Sequence, residues 1–280
     1  MRSFVKLIRP VHWIKNILIF APAFFGGKLF NKEIMFISSL SFLIFCLISS
    51  GIYVMNDIFD VKYDSIDPFK RDRPLVKGEI SLRVASFLSV VLVSVGLFFS
   101  FKINLSFLII CAIYVMIQIL YSLVLKNIVI LDVFCVSFGY LLRILAGGEA
   151  TNINVSGWLF MSTFLLALFI SFGKRLAERK RLGEKAIYFR PVLGEYNESF
   201  LLIVLGITGS SALITYVIYC VEKQGFLVYT SIFASYGILR YLYLVFKYSI
   251  GDPLKIFIKD TQLKVVSIIF LLHIGILIYL

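Results

Sequence analysis

Apolar residues run through this chain in long stretches, broken by polar connections, from the first twenty positions to the last. Each stretch approaches the roughly 20 residues that a helix needs to cross a hydrocarbon core. The pattern predicts nine spanning helices: Trp13 to Phe30, Ile34 to Met55, Leu82 to Phe101, Leu105 to Leu125, Ile128 to Ala146, Ser156 to Gly173, Phe200 to Val221, Phe226 to Phe246 and Leu263 to Leu280. Pro22 and the Gly26-Gly27 pair mark the first as kinked or partly re-entrant, a course that a bilayer tolerates where protein covers the freed backbone. Ala21-Pro22-Ala23 looks like a signal-peptide cleavage site, but the apolar run continues to Phe30 and eight more follow, so the segment is expected to be retained.

Composition agrees with the pattern. Of 280 residues 60% are hydrophobic and 16% charged, and the mean hydropathy is +0.95, which excludes an ordinary soluble domain. The chain is expected to be an all-α integral membrane protein, one domain over residues 1–280, multi-pass in the cell membrane. Its 28 Lys and Arg residues set the orientation, because cations concentrate in the cytoplasmic connections. With a cytoplasmic N-terminus, the outer loops hold Lys28, Lys32, Lys102 and Lys223, Arg143 and Arg240 fall within spans, and every other cation lies inside. The net charge of +12 is therefore mostly topology, and no nucleic-acid partner is implied. Cys46, Cys111, Cys135 and Cys220 sit widely spaced in apolar runs and read as small core residues; His12 and His273 make no ligand pair in sequence.

Two long polar connections, Asn56 to Ser81 and Lys174 to Ser199, both fall on the cytoplasmic side and are expected to form one site facing the cytoplasm. Asn56-Asp57-Ile58-Phe59-Asp60-Val61-Lys62-Tyr63-Asp64 opens the first. At about 100° per residue, Asp57, Asp60 and Asp64 share a single stripe of one helix extension. Clustered carboxylates suit a hard cation such as Mg2+, with positions left open for phosphate oxygens. The alternative is a solvated acidic helix end. Lys70, Arg71 and Arg73 follow closely and count against it, since a metal beside cations points to a polyphosphate.

Further candidates lie near the same membrane face. Lys174, Arg175 and Glu178 extend the sixth span at helical spacing, where two cations suit phosphate oxygens. Lys15 and Asn16, after Arg9-Pro10-Val11-His12-Trp13-Ile14, either anchor the headgroup level or turn inward. Tyr121, Ser122 and Lys126 close the fourth span, and Asp132 either caps the fifth or pairs with Lys126. Arg143 is expected near the outer end of its helix, where it snorkels or pairs with Glu149 as readily as it meets a ligand.

Taken in order and spacing, these pieces resemble the UbiA superfamily of intramembrane prenyltransferases. Its first signature, N-D-x-x-D-x-x-x-D, is matched at Asn56, Asp57, Asp60 and Asp64. The chain looks most like the polyprenyl-phosphate (decaprenyl-phosphate) phosphoribosyltransferases in its R-P-x-x-W-x-K-N opening, Pro68 to Pro74, Arg143 to Gly148, and Gly173-Lys174-Arg175 with Glu178. The resemblance implies a nine-helix UbiA-type bundle with a cytoplasm-facing polar cavity. It also implies Mg2+ held by Asn56, Asp57, Asp60 and Asp64, and transfer of 5-phosphoribose from 5-phosphoribosyl 1-diphosphate to a polyprenyl phosphate. Lys15, Asn16, Lys70, Arg71, Arg73, Tyr121, Lys126, Lys174, Arg175 and Glu178 would meet the substrates. Aromatic prenyltransferases of the superfamily carry a second aspartate-rich motif after the sixth helix, whereas this chain has no Asp between Lys174 and Ser199. The rival expectations are prenyl transfer from a prenyl diphosphate to a lipophilic acceptor, and a transporter whose acidic motif binds cations.

Overall fold

Small polar residues mark where helices begin in this chain. The side chains of Asn31, Ser81, Asn104, Ser156 and Asp260 each accept a hydrogen bond from a backbone N–H two or three residues on, satisfying donors that the first helical turn leaves open. The computed structural model describes residues 2–67, 70–223, 225–249 and 251–280, with Leu254 by its backbone alone; Pro68 and Phe69 of the sequence motif lie outside the described residues. Its helices are α1 (Arg2–Ile8), α2 (Ala21–Phe25), α3 (Lys32–Ile66), α4 (Leu82–Ile103), α5 (Leu105–Leu123), α6 (Leu131–Thr151), α7 (Gly157–Leu182), α8 (Ala186–Phe189), α9 (Val192–Glu195), α10 (Glu198–Lys223), α11 (Ser231–Tyr248), α12 (Pro253–Lys259) and α13 (Thr261–Tyr279). Longer 3-10 stretches run over Pro10–Phe20 and Gly225–Thr230. The chain is a multi-pass membrane protein. Among the described residues, seven helical runs are long and apolar enough to cross a bilayer: α3, α4, α5, α6, Gly157–Phe189, α10 and α13.

The other two expected spans are built differently. Pro10–Phe20 is a 3-10 helix, and α2 follows it directly before the turn at Gly26 and Gly27. A 3-10 helix rises about 2.0 Å per residue, so these eleven residues cover about 22 Å. With three residues per turn, Trp13, Asn16 and Ile19 fall in one row. That row meets α3: Trp13 donates to Ser50 Oγ at 2.9 Å, Asn16 donates to Ser49 Oγ at 3.1 Å, and Ile19 is fully buried. In the eighth expected span, Gly225–Thr230 precedes the 18-residue α11.

Contacts divide the chain into two compact units: residues up to Val155 except Val136–Phe138, and those three with everything from Ser156 onward. In the first, α3 and α4 approach closely, and Ser89 Oγ donates to the Gly51 carbonyl at 2.8 Å. A Cβ at Gly96 would lie 2.4 Å from Ile48, so small residues permit the approach. At 35 residues, α3 is about 50 Å long, well beyond the ~30 Å of a hydrocarbon core. Its apolar section ends near Met55, and the same helix carries Asn56 to Ile66 onward. It stops at Asp67, whose backbone is extended; Pro68 comes next in sequence, and a residue before proline is disfavoured in a helix. In the second unit α7 and α10 pack together, with Phe169 within 3.1 Å of where a Gly209 Cβ would stand, and the apolar section of α13 is only 6% buried, leaving it to lipid.

Gly147 of α6 sits where the 3-10 stretch crosses it, and an added Cβ would lie 2.0 Å from the Ile19 carbonyl oxygen. Backbone cannot swing aside like a side chain, so Gly147→Ala is expected to cost at least about 1–3 kcal/mol and to lower the melting temperature in detergent by several degrees. Gly237→Ala, with open space around it, serves as the control; equal melting of the two variants would contradict this packing.

Candidate functional site

Asp57 and Asp64 stand seven residues apart, two helical turns, so they share one stripe of α3 with Asp60 about 60° aside. Asp57 is 3% exposed and Asp64 1%. Carboxylates so buried need countercharge, and it arrives from three other segments. Nη1 of Arg73 bridges the row, 2.9 Å from Asp57 Oδ1 and bonded also to Asp64 Oδ2. Arg9 donates through Nη2 to Asp57 Oδ1. Lys70 Nζ lies 3.2 Å from Asp64 Oδ1 and 3.5 Å from Asp67 Oδ2. Beyond α5, Lys126 Nζ meets Asp60 Oδ1 at 2.6 Å. Four carboxylates thus face four cations.

Local structure explains how each cation arrives. Arg9 takes a left-handed backbone (φ 53°) between α1 and the 3-10 stretch, a conformation uncommon outside glycine, and its guanidinium also stands 5.9 Å from the centre of the Tyr53 ring. Burial pulls Arg9 below its usual pKa, and the neighbouring Asp57 works against that shift. Arg73 follows consecutive turns in which Lys70 and Arg71 donate backbone N–H groups to the Asp67 carbonyl. Nearby, exposed Asp72 is held below the usual carboxylate range by its hydrogen bond and ion pair with Lys77. Asn56 Oδ1 faces Ser122 Oγ of α5, which also lies 2.7 Å from the Gln118 carbonyl and has one proton to divide between them.

The expected residues are distributed as follows. Asn56, Asp57, Asp60, Asp64, Lys70, Arg73 and Lys126 come together in the first unit, while Arg71 is exposed and its guanidinium makes no hydrogen bond or ion pair among the described residues. Tyr121 precedes Ser122 on α5 and is half-buried. Asn16 is fully buried against α3 and Lys15 is half-buried beside Tyr140, so both turn inward. In the second unit, Arg175 of α7 is 3% exposed and pairs with Glu178 at 2.7 Å, while Lys174 is exposed.

Lys126 pairs with Asp60. One sequence expectation needs correction. Arg143 neither snorkels nor meets Glu149; it is 4% exposed and donates to Asn16 and Tyr114. Arg9 and Asp67 join the site although the sequence pattern alone does not single them out. Arg9 carried one usable signal, a cation directly before a proline at a membrane entry.

Hard oxygen donors on one stripe suit Mg2+ by type. Their side chains are nevertheless turned to Arg and Lys, and among the described residues no three His, Cys, Asp or Glu groups are placed together as a ready metal cage. A divalent ion would therefore take over oxygens that Arg73 and Lys126 now hold.

Residues 19–268 match the model of the UbiA prenyltransferase family. The decaprenyl-phosphate phosphoribosyltransferase of Mycolicibacterium smegmatis is 30% identical over 288 residues, 97% of this chain and 90% of that protein. The digeranylgeranylglyceryl phosphate synthase of Sulfolobus acidocaldarius is 33% identical over 107 residues, 38% of this chain and 37% of the relative. Among solved structures, a UbiA homolog from Archaeoglobus fulgidus bound to GPP and Mg2+ has the same fold, with a TM-score of 0.76, 21% identity and 99% of both chains covered. The match of fold and sequence from end to end makes the chain a member of the UbiA prenyltransferase family.

Proposed function

We propose that the chain is a phosphoribosyltransferase that moves 5-phosphoribose from 5-phosphoribosyl 1-diphosphate to a polyprenyl phosphate, giving polyprenylphosphoryl-5-phosphoribose and diphosphate. The observation that carries this reading is the carboxylate row with phosphate-competent cations already against it. The name of a relative aligned over 97% of the chain supports the choice of substrates. In the reaction the anomeric C1–O bond to diphosphate breaks and an oxygen of the lipid phosphate bonds to C1. That phosphate is anionic at neutral pH, so no general base is required. Mg2+, held by Asn56, Asp57, Asp60 and Asp64, supplies positive charge to the leaving diphosphate. Lys70, Arg73 and Lys126 exchange carboxylate for phosphate oxygens, exposed Arg71 adds a further cation, and Lys174 and Arg175 with Glu178 furnish the cationic counterpart after the sixth span. Lys15, Asn16 and Tyr121 complete the substrate contacts. The whole of residues 1–280 acts as one domain with nine crossings, counting the Pro10–Phe25 and Gly225–Tyr248 stretches. Its N-terminus is cytoplasmic and its polar cavity opens to the cytoplasm, where it supplies a cell-wall or surface-glycan precursor.

The second reading, prenyl transfer to a lipophilic acceptor, is favoured by a structural neighbour that binds GPP and Mg2+. Ribose-labelled 5-phosphoribosyl 1-diphosphate separates the two. Label is expected in the lipid fraction only with both polyprenyl phosphate and Mg2+ present; no transfer, with consumption of a prenyl diphosphate instead, would establish the rival.

Asp57→Ala and Asp60→Ala are each expected to lower turnover about a hundredfold or more while the protein remains in the membrane; full activity in either would remove that residue from the metal site. Stability should follow burial instead. Arg73→Met leaves two buried carboxylates short of charge, a loss of about 3–5 kcal/mol. Lys126→Met releases Asp60, whose side chain is 32% exposed, at about 1 kcal/mol or less. Thermal melts in detergent check the order, and equal losses would contradict it.

A further inference from the structure

The first unit holds a second group of cations, with no acid beside it among the described residues. Arg143, in the middle of α6, donates through Nε to Asn16 Oδ1 at 2.7 Å, through Nη1 to the Gly139 carbonyl, and through Nη2 to the Tyr114 hydroxyl at 3.2 Å. Its guanidinium carbon lies 5.0 Å from the ring centre of Tyr114, 5.2 Å from Phe45 and 5.8 Å from Tyr140. Lys15 Nζ stands 5.7 Å from the same Tyr140 ring. All of these partners are neutral, and among the described residues neither cation has an ion pair. The aromatic faces offset part of the desolvation cost. Two like charges converging on one ring without countercharge still oppose each other, and ionisable groups at membrane depth mark functional sites by default. Three of the five guanidinium N–H groups are used, which leaves one on each Nη for a ligand.

We propose that Lys15 and Arg143 form an anion site for a phosphomonoester, separate from the diphosphate at the carboxylate row. Position supports the separation. Asn16, which holds Arg143, bonds Ser49 and Cys46 of α3, eight and eleven residues before Asp57. At 1.5 Å per residue that is about 12–16 Å along the helix, farther than the two phosphorus atoms of one diphosphate reach. A prenyl diphosphate carries one anionic end and leaves such a site without purpose. A phosphoribosyl donor and a lipid phosphate together bring two phosphomonoesters besides the diphosphate: the ribose 5-phosphate and the acceptor headgroup. Which of them Lys15 and Arg143 hold is the part that rests on the phosphoribosyl reading.

The test is binding without turnover. Wild-type protein in lipid nanodiscs, without metal, is titrated calorimetrically with ribose 5-phosphate and with farnesyl phosphate; diphosphate with Mg2+ probes the carboxylate row. Wild type is expected to bind at least one monoester. Lys15→Gln and Arg143→Gln should weaken that binding by about tenfold or more, as the loss of a charge-assisted contact implies, with diphosphate–Mg2+ binding unchanged. Arg143→Lys, which keeps the charge if the Gln variant fails to fold, should retain more affinity than Lys15→Gln does. Weakening for ribose 5-phosphate identifies the donor, and weakening for farnesyl phosphate the acceptor. Neither monoester binding to wild type, unaltered binding in the variants, or a parallel fall in diphosphate–Mg2+ binding, which a purely structural Arg143 would cause, overturns the proposal. If the transfer reaction itself fails, monoester binding still reports on the site, so the two failures are distinguishable.

Discussion

Arg73, set between Asp57 and Asp64, is the contact on which the first unit turns. Two carboxylates buried on one stripe of α3 repel each other and have lost most of their water, so they stay in place only with positive charge close by. Arg9 brings the chain entry to α3, Lys70 and Arg73 bring the connection that follows it, and Lys126 brings the end of α5. One electrostatic requirement, imposed by two carboxylates seven residues apart, thereby gathers three segments that hydropathy alone would leave loose.

The same balance suits a transferase of charged substrates. Arg and Lys that hold carboxylates in this arrangement are the side chains that hold phosphate oxygens well, so a metal–diphosphate complex brings both a cation for the row and anions for its partners. The proposed chemistry therefore needs an exchange of ionic partners and no new buried charge. In the middle of α6, Arg143 shows a different solution: a guanidinium held by an amide, a carbonyl, a phenol and three rings. That environment keeps the cation positioned while leaving its charge unspent.

Much of this architecture was legible in the sequence. The ends of α4, α10 and α13 fall within a few residues of their apolar runs, and the carboxylate stripe on an extended α3 follows directly from its 3.6-residue period. Hydropathy measures composition and is blind to pitch, which is why the long 3-10 stretch at Pro10–Phe20 was not foreseen beyond a kink at Pro22. The depth of Arg143 was misjudged because a cation within a span is ordinarily expected to reach for the interface, and only tertiary structure brings Asn16, Tyr114 and Phe45 around it. Choice of ionic partner is likewise a tertiary matter: Lys126 meets Asp60, 66 residues away.

The central claim is that the carboxylates of α3 hold a divalent ion together with the diphosphate of a phosphoribosyl donor. Pulsed electron paramagnetic resonance of Mn2+, substituted for Mg2+ in the presence of 5-phosphoribosyl 1-diphosphate, tests it most directly. The account expects bound Mn2+ with phosphorus hyperfine coupling in the wild type and loss of that signal in Asp57→Asn and Asp60→Asn. Undiminished signal in both variants would contradict it.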